Sequence, residues 1–132
     1  MLRISLRDGE KVVVNGAVLR AVGRTQFFIE NKASVMRGSE VMAPDEATTP
    51  ARQLYFHTMM AYVDSSRSEE HKDQILVILP QVMALLPSAE AAAICASFAT
   101  KVAGLQFYKA LGDCRKLMSL ETETLEHVEP AA

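Results

Sequence analysis

The sequence has little cysteine: only Cys95 and Cys114, which lie far apart and form no CxxC pair. This excludes the dense disulfide framework of small secreted domains and the paired cysteines of common zinc sites. Cys95 stands in an alanine-rich segment without a neighbouring base or cation that would lower its pKa. We therefore interpret both side chains as reduced thiols, and Cys95 as a packing residue.

The sequence also lacks a hydrophobic run as long as a membrane helix, which needs roughly 20 residues. Its longest apolar run, residues 75–86, is interrupted by Pro80 and Gln81. We expect no secretory signal ahead of the two cysteines. We expect a soluble, cytoplasmic protein with no membrane partner.

The common phosphate-loop, hydrolase and metalloprotease motifs (GxGxxG, GxxxxGK followed by Ser or Thr, GxSxG and HExxH) are absent. The three histidines, His57, His71 and His127, lie in separate segments, and none has a ligand-like spacing to a cysteine or carboxylate. We interpret His57 as a half-buried surface histidine. The sequence therefore predicts no metal site, no cofactor and no catalytic residues, which argues against an enzyme.

The chain has 132 residues, the size of one compact domain, and a net charge of only -2. The two halves differ in charge: residues 1–43 hold seven Lys and Arg against four Asp and Glu, whereas the remainder holds seven against twelve. We predict that residues 1–132 fold as one unit, whose basic strand-rich half and acidic helical half contact different partners.

The first half has the alternation of short strands. Leu2, Ile4 and Leu6 alternate with Arg3, Ser5 and Arg7, which places the apolar side chains on one sheet face. Asn15-Gly16 between apolar runs predicts a two-residue hairpin with Lys11 opposite Arg20. Further strands are predicted at 26–30, 34–36 and 40–42, which gives five or six short strands in a small antiparallel sheet.

The second half, residues 50–120, has helical periodicity. Helices are predicted at 50–64 with Thr49 as N-cap, at 69–79 before Pro80 kinks or breaks the helix, at 89–103 between the Ser88 cap and Gly104, and at 105–118. Residues 121–132, with four glutamates and no base, are predicted to fray. The predicted class is α+β, a small antiparallel sheet followed by a bundle of about four helices.

The facing cations of the hairpin are the first candidate site. Like charges opposite each other destabilise a sheet by a few tenths to about 1 kcal/mol. The offsetting anion is either a nearby carboxylate, Asp8 or Glu10, or a nucleic-acid phosphate. Arg3 and Arg7 share a strand face and lie about 13 Å apart. The candidate RNA-binding residues are therefore Arg3, Arg7, Lys11 and Arg20.

Two further features of the sequence bear on binding: a pair of adjacent phenylalanines in the strand half, and apolar side chains in the helical half. Phe27 and Phe28 point to opposite strand faces, so at most one of them can stack on a base. In the helical half, Met59, Met60 and Tyr62 are candidates for a protein-partner surface, although methionines at helical spacing also occur in cores.

Three segments resemble a known family: Gly9-Glu10, VNGAVL at 14–19 and PDEATTPARQLYF at 44–56. Together and in this order they are similar to the FlbT family, flagellum biosynthesis repressors. The resemblance implies association with the 5′ untranslated region of flagellin mRNA, promotion of its degradation, and action alongside the regulator FlaF. Some relatives are reported as activators. The chain departs from the family pattern at 57–60, where His-Thr-Met-Met replaces a more polar stretch.

Two classes of function remain open after this resemblance. One is an RNA-binding repressor whose basic strands contact the flagellin mRNA leader. The other is a protein-binding adaptor or chaperone for flagellin or FlaF without direct RNA contact. A ribonuclease is a distant third, because the sequence has no evident general acid and base pair.

Overall fold

The computed structural model describes residues 1–126, which confirm the α+β class: five short strands are followed by four α-helices. The chain divides into two compact units. The strand unit comprises Met1–Val41 with Val63–Ser65, and the helical unit comprises Met42–Tyr62 with the chain from Ser66 onward. The boundary after Val41 lies two residues before the end of the basic half at residue 43.

The strands form two antiparallel sheets rather than one. The strands are β1 Leu2–Leu6, β2 Lys11–Val14, β3 Ala17–Arg20, β4 Thr25–Ile29 and β5 Val35–Arg37. Sheet A consists of β1 and β4, and sheet B has the order β3-β2-β5. The β2–β3 hairpin lies between β1 and β4 in the sequence but belongs to sheet B. The strands β1 and β4 pair with each other in sheet A.

The hairpin of sheet B has the predicted register. Lys11 lies opposite Arg20, and Val14 lies opposite Ala17. Asn15 (φ 49°) and Gly16 (φ 84°) both adopt positive φ, which a type I′ turn requires. The Asn15 side chain also accepts a hydrogen bond of 2.9 Å from the Ser34 backbone N–H, which anchors the turn to the segment before β5.

The predicted strand at 40–42 is wrong. Residues Gly38–Glu40 form a short 3-10 helix instead. The carboxylate of Glu40 accepts a hydrogen bond of 3.0 Å from the Arg37 backbone N–H, so the chain curls after β5. This side-chain hydrogen bond offers the backbone an alternative to a sheet ladder.

The apolar sides of the two sheets supply the core of the strand unit. Ile4, Leu6, Val12 and Ala21 are buried, and four half-buried side chains pack against them: Val14, Phe27, Ile29 and Val35. The predicted alternation along β1 is confirmed at Ile4 and Leu6, whereas Leu2 at the strand end is 49% exposed. Arg3 and Ser5 consequently lie on the outer face of sheet A.

The helices are α1 Pro50–Val63, α2 Ser68–Leu85, α3 Ala89–Ala103 and α4 Phe107–Glu126. Both predicted N-caps are confirmed. Thr49 Oγ1 accepts a hydrogen bond of 3.3 Å from the Arg52 backbone N–H, and Ser88 Oγ accepts one of 3.1 Å from that of Ala91. Gly104 ends α3, also as predicted.

Pro80 does not break its helix, because α2 continues to Leu85. Pro80 and Leu76 both lie on the exposed side of α2. The carbonyl of Leu76, four residues earlier, loses its intrahelical partner at Pro80, and on this side water can hydrogen-bond it. Of the two predicted outcomes at Pro80, a kink or a break, the break is therefore wrong.

The C-terminal helix is longer than its sequence pattern predicts. For residues 121–126 the predicted fraying is wrong, because α4 extends to Glu126; residues 127–132, with His127, lie outside the described part of the chain. Glu121 is buried at 5% exposure. Its carboxylate accepts hydrogen bonds from Thr49 Oγ1 and, at 3.0 Å, from the Ala51 backbone N–H, so α4 caps α1.

A second buried carboxylate connects α3 and α4. Asp113, 3% exposed, accepts hydrogen bonds of 2.8 Å from Lys101 Nζ and 3.0 Å from Ser97 Oγ. The paired lysine offsets the cost of removing the carboxylate from water. Within residues 1–126, no helix combines the length and the apolar character needed to cross a bilayer.

Candidate nucleic-acid interface

The outer face of sheet A brings basic, polar and aromatic side chains together. Arg3 lies directly opposite Phe28, and Ser5 lies opposite Gln26. Gln26 Nε2 donates a hydrogen bond of 3.3 Å to Ser5 Oγ. Phe28 is 55% exposed on this face, whereas Phe27 points to the other face and packs against the core. The outer face therefore presents one aromatic ring beside an arginine.

A cleft of about 670 Å³ continues this face at the end of sheet A. We call it the basic cleft; it is lined by Ser5, Leu6, Arg7, Glu10, Arg24, Thr25, Gln26 and Arg37. Three of the lining residues are arginines, and one is an acid. Because like charges gathered in a cleft reinforce one another, the basic cleft attracts anions.

The hydrogen bonds of the cleft leave most of its positive charge uncompensated. Glu10 Oε1 accepts a hydrogen bond of 2.8 Å from the Arg7 backbone N–H and lies 3.8 Å from Arg7 Nε. Arg37 Nη1 donates to the Ser5 carbonyl at 3.4 Å. Among the side chains of residues 1–125, Arg24 and Arg37 form no ion pair with a carboxylate.

The predicted basic residues occupy two separate places. Arg3 lies on sheet A and Arg7 lines the basic cleft. Lys11 and Arg20 instead face each other on sheet B. Asp8 forms no ion pair with either of the latter two in the described chain, and its carboxylate accepts a hydrogen bond of 2.7 Å from the Gly23 backbone N–H.

Glu10 pairs with Arg7, as described above, so neither acid forms an ion pair with Lys11 or Arg20 in the described chain. Neither of the carboxylates that the sequence offers as partners therefore pairs with Lys11 or Arg20. Both cations remain candidates for a phosphate.

Sequence reasoning missed Arg24, Arg37 and the position of Phe28 beside Arg3. Arg24 follows the turn at Gly23, and Arg37 ends β5, so neither belongs to an alternating pattern that marks a face. The position of Phe28 beside Arg3 depends on β1 pairing with β4, whose partners lie 19 to 27 positions apart in the sequence. The signal available in the sequence was the excess of arginine before residue 43.

The predicted protein-partner surface in the helical unit needs a correction. Met59 is only 4% exposed, because α1 buries a wide face. Its sulfur accepts a hydrogen bond of 3.3 Å from the Met42 backbone N–H. Met60 and Tyr62 are half-buried, and the Tyr62 ring lies 5.3 Å from that of Tyr108. Met59 is a core residue and not part of an exposed surface.

Another part of the helical unit presents apolar side chains to solvent. On α2, Leu76 is 63% exposed, Val77 58% and Met83 49%, and Pro80 and Ala84 are exposed between them. Their spacing places them on one side of the helix. This exposed apolar side of α2, defined by these five residues, is the helical unit's candidate contact surface.

The cysteines and histidines do not form a metal centre in the described chain. No three His, Cys, Asp or Glu side chains among residues 1–125, whose side chains the structure describes, lie close enough to hold a metal ion. Both cysteines are free and buried, and burial raises the pKa of the Cys114 thiol to about 12. His57 is half-buried, as predicted, and hydrogen-bonds His71.

The fold and the candidate site define a small α+β protein with a basic surface cleft on its strand unit. The sequence profile of the family described as flagellar protein FlbT matches residues 2–125. The chain belongs to this FlbT family, as its sequence motifs predict. No solved structure matches the chain.

Named relatives cover nearly the whole chain. A Caulobacter species has a probable flagellum biosynthesis repressor protein FlbT that is 38% identical over 128 residues, 96% of this chain and 98% of the relative. The flagellum biosynthesis repressor protein FlbT of Caulobacter vibrioides is 38% identical over 96% of this chain and 91% of the relative. A probable FlbT of Agrobacterium fabrum is 31% identical over 97% and 86%, respectively.

Proposed function

We propose that this protein is a post-transcriptional regulator of flagellum biogenesis. In the cytoplasm it associates with the 5′ untranslated region of flagellin mRNA and promotes degradation of the message. The relatives' names, flagellum biosynthesis repressors, support the regulatory part of this proposal. The protein acts by binding and supplies no catalytic residues.

The basic cleft is the observation that supports RNA as the ligand. Arg7, Arg24 and Arg37 line one cleft, and its single acid, Glu10, is paired with Arg7. Arginine forms bidentate hydrogen bonds with phosphate and stays charged at all physiological pH values. A strand unit with a net positive charge supplies this attraction locally, although the whole chain is slightly acidic.

Binding of purified protein to flagellin leader RNA at increasing salt concentrations tests the proposal. Three or four phosphate contacts on single-stranded RNA predict a log-log slope of affinity against salt of about -2 to -3. The double substitution Lys11→Gln and Arg20→Gln, and separately Arg7→Gln and Arg24→Gln, should each make the slope shallower by about 1 to 1.5.

The helical unit offers a matched control with the same loss of charge. Lys109→Gln and Lys116→Gln remove two exposed cations from α4 and should leave the slope unchanged. Failure of the unsubstituted protein to shift flagellin leader RNA would contradict direct RNA binding. An equal loss of slope in the control would show a non-specific charge effect.

Degradation of the message needs a separate measurement. After transcription is blocked, the half-life of flagellin mRNA should be longer in cells that lack the protein than in cells that contain it. The cleft variant Arg7→Gln with Arg24→Gln should lengthen the half-life similarly at equal protein abundance. A shorter half-life in the cells without the protein would indicate that it stabilises the message.

A protein-binding adaptor for flagellin or FlaF is the second candidate function, and the exposed apolar side of α2 favours it. Exposed apolar residues that gather on one side of a helix mark contact sites more often than isolated ones do. FlaF is a proposed protein partner because the family resemblance implies action alongside it, and flagellin is the other proposed partner. In this alternative, effects on flagellin mRNA would be indirect.

Binding of purified flagellin and FlaF to two charge variants tests the adaptor function. Leu76→Glu disrupts the exposed apolar side of α2, whereas Leu125→Glu makes the same change at a 59% exposed position on α4. We expect Leu76→Glu to weaken binding of at least one partner by tenfold or more, and Leu125→Glu to leave it unchanged. Equal affinities in all three proteins would place the contact surface elsewhere.

A further inference from the structure

Phe28 is a large aromatic residue that the fold leaves exposed beside positive charge. Its neighbours in the strand, Phe27 and Ile29, pack against the core, whereas 55% of Phe28 is open to solvent on the outer face of sheet A. Arg3 is its direct cross-strand partner. An exposed ring adjoining cations is the arrangement on which unpaired nucleic-acid bases stack.

The same face continues from the ring to the basic cleft without interruption. The pair Ser5 and Gln26 follows the pair Arg3 and Phe28, and both residues of that second pair also line the cleft. From Phe28 to Arg24 the strand rise predicts a separation of about 13 Å. An aromatic ring, two hydrogen-bonding side chains and the basic cleft therefore follow one another along the outer face of sheet A, and Arg37 reaches the cleft from β5.

We propose that the outer face of sheet A binds single-stranded RNA, with one base stacked on Phe28 and the adjoining phosphates in the basic cleft. This inference rests on the proposed function and names the form of RNA that the site takes. The bases of a duplex are already stacked on both sides and have no free face for Phe28. Ser5 and Gln26 lie between ring and cleft, where they can hydrogen-bond a ribose or a base edge.

An acidic peptide explains this surface less completely. Carboxylates would satisfy the arginines of the cleft, but they would leave the Phe28 ring without a partner. Unpaired RNA uses both parts of the face at once, because each nucleotide carries a phosphate and a flat base. RNA is therefore the favoured ligand, and an acidic polymer serves as a comparison in the experiment.

The absence of tryptophan from the sequence makes stacking directly measurable. Phe28→Trp places a single fluorophore on the proposed platform, and Leu76→Trp places one at an exposed position of α2 as the control. The probes are a short oligouridylate, an RNA duplex of the same length, and polyglutamate. We expect oligouridylate to quench the Phe28→Trp fluorescence on binding and to leave the Leu76→Trp fluorescence unchanged, and we expect the duplex and polyglutamate to quench neither.

Affinity and salt dependence separate stacking from phosphate contact. Phe28→Ala should weaken oligouridylate binding by about 5- to 150-fold, because base stacking on an aromatic contributes about 1–3 kcal/mol. Its salt slope should equal that of the parent, since no phosphate contact is lost. Arg24→Gln should instead make the slope shallower by about 0.7. Because Phe28 and Arg24 are exposed, thermal unfolding should confirm that both variants fold.

The outcomes distinguish this inference from the proposed function. If flagellin leader RNA binds, but the Phe28→Trp fluorescence is unchanged or Phe28→Ala retains full affinity, RNA binds elsewhere and only this inference is overturned. Equal binding of the duplex, or equal quenching by polyglutamate, would likewise overturn it. If the unsubstituted protein binds no leader RNA, the inference and direct RNA binding both fail.

Discussion

His57 on α1 and His71 on α2 approach each other with 3.0 Å between their Nδ1 atoms, a hydrogen-bond distance. One ring must donate and the other accept, so at most one proton lies between these two nitrogens. Nε2 of His71 is buried and has no hydrogen-bond partner within the described chain. A proton on both facing nitrogens would set two donors against each other, so the pair resists a second positive charge.

The histidine pair predicts a loss of stability in mild acid. Burial lowers the pKa of His57, and the neighbouring His71 lowers that pKa further. The unfolded chain takes up this proton near pH 6.5, whereas the folded protein resists it. The free energy of unfolding should thus be highest above about pH 6.5 and fall as the pH decreases from there through the lower folded-state pKa. Urea titrations across this range measure the effect, and His57→Gln should flatten the profile. An identical profile in that variant would contradict this assignment.

The buried carboxylate of Glu121 predicts a large effect from one substitution in α4. Glu121→Ala removes the acceptor of the Thr49 hydroxyl and of the Ala51 backbone N–H, and Ala51 is fully buried. An unsatisfied buried donor and a lost charged hydrogen bond together should lower the free energy of unfolding by about 2–4 kcal/mol. Denaturant unfolding measures it. Glu123→Ala, an exposed position on the same helix, should change it by less than about 0.5 kcal/mol. Equal effects would refute the capping role.

The end of α3 predicts a stabilising substitution. Leu105 has a φ of 59°, and the N–H groups of Leu105 and Gln106 hydrogen-bond the carbonyls of Val102 and Lys101. This is a Schellman motif, in which glycine usually occupies the left-handed position. Leu105→Gly should raise the free energy of unfolding by about 0.5–1 kcal/mol, because it removes the clash of a Cβ atom in this conformation. Ala96→Gly, at an exposed position in the interior of α3, should lower it by about 1 kcal/mol. A loss of stability in both variants would contradict the interpretation.

Folding of the chain as one unit remains a prediction, tested by limited proteolysis. The connector at 44–49 is short, and the sequence around it contains no long flexible linker. We expect protease to degrade the native chain without leaving two stable halves. Release of two lasting fragments by cleavage between Ala43 and Thr49 would show two independent domains.

Local signals in the sequence were sufficient for several elements. Asn15-Gly16 predicts the hairpin register correctly, because a two-residue turn admits few strand pairings. Ser88 predicts the start of α3, since its hydroxyl replaces a missing backbone acceptor in the first turn. In each case the interacting atoms lie within a few residues of one another. The family motifs at 14–19 and 44–56 are likewise contiguous and were readable directly.

Other features depend on contacts between distant segments. The continuation of α2 through Pro80 depends on which side of the helix faces water, and that is a property of packing. The length of α4 depends on Glu121 meeting the start of α1, seventy residues earlier. The sequence therefore predicts that the glutamate-rich tail frays, although Glu121, its first glutamate, is buried.

The amino-acid sequence by itself determined the hairpin with its facing Lys11 and Arg20, the helix caps, the basic strand half and the family. Tertiary structure alone decided that β1 pairs with β4, and thereby that Phe28 and Arg3 share an exposed face with the arginine cleft. The physical reason is the range of the interactions. Turn and cap hydrogen bonds close over two to four residues, whereas strand pairing across an inserted hairpin depends on the packing of the whole core.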